Sequence, residues 1–190
     1  MNKTVKASFL AALSAISVGT ISPAAFAKTQ VTYIEPFLCS SSGASKAGFV
    51  NYAGKKALLD VVLNEQGDYA GALLGGFTSF TASGSTVEVM ITPTSTSSNL
   101  GIYLAVAGTY NSKTDVFSMA PSSVANKGSY LVYTFSFDRS SVPSTAVVKK
   151  LAVYAIQNST ASGNVYFDSV YLNETLISKK DLQLGTCLSY

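Results

Sequence analysis

The chain has 190 residues, a formal net charge of +3, two cysteines, and neither histidine nor tryptophan. So small a charge leaves no electrostatic footprint for nucleic acid, and the missing histidine excludes Ser-His-Asp and Cys-His catalysis and histidine-ligated zinc. Only 12% of the residues are charged, so the surface must be built largely from Ser, Thr, Asn and Tyr.

Residues 1–27 read as a secretory signal. Lys3 and Lys6 precede an apolar run from Phe9 to Ile21, and Ala25-Phe26-Ala27 forms a small-x-small cleavage site. Ser14, Ser17, Gly19 and Thr20 interrupt that run, which is short of the roughly 20 residues a membrane span needs. No later stretch is apolar for long enough to span a membrane. Residues 28–190 are therefore expected to form one domain outside the cytoplasm, secreted, periplasmic or at the cell surface. Cys39 and Cys187 stand near its two ends, and in an oxidising compartment they are expected to form one disulfide that ties the termini together.

Lys28 to Phe37 predicts a first strand ending near Pro36, followed by a Ser/Gly/Ala loop to Gly48, a short strand Phe49 to Tyr52 and a turn at Ala53 to Lys56. Ala57 to Leu63 is an apolar strand closed by Asn64 to Asp68, where Gly67 can supply a positive φ. Tyr69 to Phe80 is too rich in glycine for a helix and predicts a bent strand. Thr86 to Thr92 alternates Val87, Val89 and Ile91 against Glu88 and Met90. Leu100 to Ala107 likewise sets Ile102, Leu104 and Val106 against Tyr103.

Between Gly108 and Ser129 only Val116 to Met119 predicts a strand, and Tyr130 to Phe137 predicts a strong one. A helical turn is expected within Ser140 to Val148, with Ser141 as cap and Pro143 at the first helical position. Leu151 to Ile156 and Gly163 to Leu172 complete the set, the last interrupted by a single acid, Asp168. Such an acid needs a sheet edge, hydrogen-bond donors or a cation. About eight to ten strands with almost no helical periodicity predict an all-β, two-sheet antiparallel β-sandwich.

The strand order through Gly54-Lys55-Lys56-Ala57-Leu58-Leu59-Asp60-Val61-Val62, Gly67-Asp68-Tyr69-Ala70-Gly71-Ala72, Leu151-Ala152-Val153-Tyr154 and Val165-Tyr166-Phe167-Asp168-Ser169-Val170-Tyr171-Leu172 resembles the galactose-binding-like jelly-roll modules, which include many carbohydrate-binding modules. The resemblance implies a jelly roll whose first and last strands pair. It also implies a structural calcium held by an acid of the last strand with groups of the first, here Asp168 and Glu35. Ligand faces in that family often present tryptophan, and this chain has none.

A sugar platform here must therefore use tyrosine or phenylalanine, whose flat faces cover sugar C–H groups while nearby amides and acids bond the hydroxyls. Tyr69, Tyr103 and Tyr154 are the ligand-binding candidates. The expected function is non-catalytic binding of a polysaccharide or surface glycan. Two other roles stay open: a structural or adhesive surface protein whose Ser, Thr and Tyr make protein contacts, and a small glycan-active hydrolase using two of Asp60, Glu65, Asp68, Glu88, Asp115 and Asp138.

Overall fold

The computed structural model describes residues 28–41, 43–52 and 55–174, with 51, 52 and 55–58 described by backbone alone. The signal assigned to residues 1–27 and the expected disulfide partner Cys187 lie outside the described residues.

Among the described residues thirteen strands follow in chain order: β1 Thr29–Gln30, β2 Tyr33–Cys39, β3 Lys46–Tyr52, β4 Lys55–Leu63, β5 Tyr69–Gly75, β6 Phe80–Thr81, β7 Thr86–Pro93, β8 Leu100–Tyr110, β9 Lys113–Met119, β10 Ser123–Asn126, β11 Leu131–Ser136, β12 Val147–Gln157 and β13 Gly163–Leu172. They form two antiparallel sheets. One runs β10-β11-β7-β13-β4-β3, with β1 also paired to β13, and the other runs β2-β5-β12-β8-β9, with β6 also paired to β12. The first and last strands do pair, Thr29 opposite Leu172 and Gln30 opposite Tyr171.

Alternation in the sequence decides which face each strand buries. Val87, Val89 and Ile91 of β7 and Val165, Phe167, Val170 and Leu172 of β13 meet Leu104 and Val106 of β8 and Leu151, Val153 and Ala155 of β12 in one core between the sheets. Ile91 is 1% exposed within it. Ile91→Val removes one buried methyl and is expected to cost about 1 kcal/mol, read as a shift in the urea midpoint.

Several boundaries depart from the sequence reading. Pro36 lies inside β2, which is an edge strand, so the missing N–H can face away from the neighbouring strand β5. Tyr69–Phe80 breaks at Gly76, whose φ is +79°, into β5 and β6. The helical turn expected at Ser141 and Pro143 does not form: Ala146 N–H donates to the Pro143 carbonyl at 2.8 Å, a tight turn that lets Val142 and Ala146 both enter the core. A short 3-10 turn sits instead at Phe137–Arg139. Among the described residues no helix is long and apolar enough to cross a membrane.

Candidate functional site

The outward face of the β2-β5-β12-β8-β9 sheet carries the three tyrosines, and the strand register shows how. Cross-strand neighbours form successive rows: Glu35, Leu73, Ala152, Ala105 and Ser118; then Phe37, Gly71, Tyr154 and Tyr103; then Cys39, Tyr69, Ile156 and Gly101. Small residues in these rows leave room for large rings beside them. Ala152 and Ala105 flank Tyr154, while Gly71 separates Phe37 from Tyr154 within one row.

Ring geometry follows from that spacing. Phe37 and Tyr69 meet edge to face with centroids 6.3 Å apart, Tyr69 and Tyr154 likewise at 6.0 Å, and Tyr154 and Tyr103 stack at 5.8 Å with planes inclined by 26°. These are the offset and T-shaped arrangements that aromatic quadrupoles favour. The Tyr154 hydroxyl is tied to Ser118 Oγ at 2.8 Å. Tyr154 is buried at the centre, 4% exposed, whereas Tyr69 and Tyr103 are half-buried on either side. Burial pushes the Tyr69 phenol above its ordinary pKa, and the neighbouring Tyr154 adds to that rise. Tyr69 is a neutral phenol throughout the physiological range.

Tyr103 leans back along its own strand. A side chain built at Gly101 would meet Tyr103 Cε2 at 2.7 Å and Asn158 Nδ2 at 2.6 Å, so ring and amide share the space that the glycine leaves. The exposed Asn158 amide thus stands beside an aromatic ring at one end of the row. Sequence reasoning named all three tyrosines but missed Phe37, Ser118 and Asn158, whose neighbours are set by pairing between distant strands. Gly71 carried a legible signal, since a glycine inside a strand often marks a close approach.

Glu35 and Asp168 are not brought together. Glu35 is exposed in the row with Leu73, whereas Asp168 belongs to β13 in the other sheet. Asp168 is the extra residue of a bulge between Phe167 and Ser169, and its carboxylate accepts a bond from Thr92 Oγ1 at 2.6 Å. Among the described residues there is no group of three or more His, Cys, Asp or Glu able to hold a metal.

Among the remaining acids, Asp68 departs most from a surface role. It is 3% exposed and accepts bonds from Ser40 Oγ at 2.5 Å, Ser45 Oγ at 2.6 Å and Ser41 N–H at 3.0 Å, with Ser41 Oγ at 3.4 Å. Burial alone would raise its pKa, but these donors together outweigh that and hold the carboxyl below its ordinary value. Ser41 Oγ also reaches Glu65 at 3.3 Å. A carboxylate so saturated cannot act as a general acid near neutrality. Its evident work is to fasten the loop after β2 to the turn between β4 and β5. Asp60 accepts from Asn164 Nδ2 at 2.6 Å with Lys46 Nζ at 3.7 Å, Glu88 pairs with Lys28, and Asp138 accepts from Gly84 N–H at 2.9 Å.

No family model matches the chain and no curated protein does. Among solved structures the chain is similar to a protein described under the promiscuous specificity of carbohydrate-binding modules of the β-sandwich superfamily, at 14% identity and TM-score 0.48. That match covers 73% of this chain, which spans only 56% of that one. It is also similar to the xylan-binding module CBM15, at 14% identity and TM-score 0.46, covering 82% of this chain and 97% of that one. The family 11 carbohydrate-binding module of a cellulosomal cellulase of Clostridium thermocellum matches at 12% identity and TM-score 0.48, covering 80% and 97%. These three solved structures are described as carbohydrate-binding modules.

Proposed function

We propose that this protein binds a polysaccharide or surface glycan, without catalysing a reaction, through the outward tyrosine face of the β2-β5-β12-β8-β9 sheet. The observation that carries the reading is the continuous run of rings from Phe37 through Tyr69 and Tyr154 to Tyr103, bordered by hydrogen-bonding groups at Ser118, Asn158 and Glu35. Flat aromatic surface beside amide and carboxylate groups suits the apolar faces and equatorial hydroxyls of sugar rings. Tyr103 and Tyr69 supply the contact, and Tyr154 holds them in place. On this reading residues 1–27 direct secretion.

The test is retention of the full chain, oxidised and reduced, on a panel of soluble and insoluble polysaccharides, with calcium and with a chelator. Tyr103→Ala, folded by circular dichroism, is expected to weaken binding roughly tenfold. Binding unchanged in that variant would move the site elsewhere, and no retention in either redox state would end the reading. The calcium and chelator arms separate any cation contribution from Glu35 or Asp168.

A structural or adhesive role has its own support. Phe49 is 51% exposed on β3 and Val124 49% exposed on β10, and both strands lie at edges of the larger sheet. An edge with exposed apolar side chains is a template for pairing with another chain. That role requires concentration-dependent assembly in sedimentation velocity, and a strict monomer counts against it.

A further inference from the structure

Two consecutive lysines interrupt β12 where its tyrosine face ends. In a regular strand Lys149 and Lys150 would point to opposite sides of the sheet, and one ammonium group would enter the core. The register of β12 against β8 shifts between Val148 and Lys150, which makes Lys149 the extra residue of a bulge. Burial follows the bulge: Val148 and Leu151 are both buried in the core between the sheets, whereas Lys149 and Lys150 are both exposed. Two adjacent ammonium groups are thereby turned to the outward face that also carries Ala152, Tyr154 and Ile156.

We infer that the polysaccharide bound by this face is anionic, with carboxylate or sulfate groups that Lys149 and Lys150 engage while a sugar ring lies on Tyr103. The inference deepens the carbohydrate reading of the same site and rests on it.

The geometry supports such a ligand. Lys150 stands four residues from Tyr154 on β12 and pairs with Ala107, itself four residues from Tyr103 on β8, a separation of about 13 Å at strand rise. That is longer than one sugar ring, so the stacked ring and the acid group belong to different residues of one polymer. Between the lysines and the tyrosines the paired residues are Ala152 and Ala105, too short to bar a chain lying across both. Val116 of β9, 40% exposed and opposite Ala107, adds apolar surface beside the ammonium groups.

Glu35 is the acid on this face among the described residues. It stands on edge strand β2 opposite Leu73, with β5 between it and β12. An acidic chain that follows β12 and β8 meets the lysines and passes Glu35 to one side. Lysine carries a compact charge on a flexible stem that lies along apolar surface while its head stays in water, which suits a charge repeated along a solvated polymer.

The test measures binding of the full chain to polygalacturonate, alginate and a sulfated galactan, beside the carboxyl-reduced or desulfated form of each. Affinity for at least one anionic polymer is expected to exceed that for its neutral counterpart by at least about tenfold at low ionic strength, the uronate and sulfate arms showing which group is read. In about 1 M salt, where charges are screened beyond about 3 Å, that preference is expected to shrink at least about fivefold. The double variant Lys149→Ala/Lys150→Ala, folded by circular dichroism, is expected to bind the anionic polymer at least about tenfold more weakly. Lys127→Ala/Arg139→Ala removes the same charge from exposed sites elsewhere and is expected to change binding less than about twofold.

Equal losses in the two double variants, or neutral polymers held as tightly as anionic ones, overturn the inference and leave the carbohydrate reading standing. Binding lost with the lysines but kept in Tyr103→Ala supports the acid contact and overturns the tyrosine face. No binding to any polymer, anionic or neutral, overturns both.

Discussion

Gly71→Ala is expected to lower stability by about 3 to 5 kcal/mol in urea titration. A Cβ at Gly71 would lie 2.0 Å from the Val153 carbonyl oxygen, 2.5 Å from Tyr154 Cα and 2.8 Å from Tyr154 Cβ. Two of these atoms are backbone, so no rotamer change relieves the overlap. Relief requires β5 to move away from β12, which breaks a ladder running from Leu151 opposite Leu74 to Ile156 opposite Tyr69.

The same displacement separates Tyr69 from Tyr154, so the aromatic face is lost together with stability. Gly163→Ala is the informative comparison. There the nearest atoms are the Leu100 side chain at 2.5 and 2.6 Å and Gln157 Oε1 at 2.9 Å, which can rotate away, and a cost of about 1 to 2 kcal/mol is expected. Equal losses in the two variants would show that the close approach of β5 and β12 is not the cause.

Asp68→Ala is expected to cost about 2 to 4 kcal/mol, because it strands the Ser40, Ser41 and Ser45 donors around a space that had held their common acceptor. Asp68→Asn keeps the shape but sets an NH₂ against hydroxyls that had been donating, and is expected to recover less than half of the loss. The pH dependence has a definite sign. The folded carboxyl sits below its ordinary value, so its contribution is complete above the unfolded pKa of about 3.9 and fades as pH falls through the lower folded value. Stability measured from pH 6 downward should therefore fall below about pH 4 more steeply in the wild type than in Asp68→Asn. Parallel curves would mean that the serine cage contributes nothing to acid stability.

How much of this was legible beforehand follows from what each pattern encodes. In β7 and β8, two-residue alternation assigns every side chain to a face, and the sequence reading placed Ile91 and Leu104 as the structure does, whereas the bulge at Asp168 breaks that alternation in β13. The edge strands carry no such record. β10 is exposed along its whole length and β9 along most of it, so no burial constrains their composition, and β10 went unread while β9 was cut short. Ser141 and Pro143 matched a helix start, yet the core needed Val142 and Ala146 together, and a tight turn satisfied both.

The sequence by itself determined the all-β class and the faces of β7, β8 and β11, because local period and residue type are sufficient for each, while the candidacy of Tyr69, Tyr103 and Tyr154 drew also on the family resemblance. Only the tertiary structure decided that Tyr154 lies opposite both Gly71 and Tyr103, that Asp68 is caged by serines from a loop more than twenty residues earlier, and that Glu35 and Asp168 stand on different sheets. The reason is register. Which residues of two strands far apart in the chain become neighbours depends on how both sheets close around a shared core, and no window of sequence contains that information.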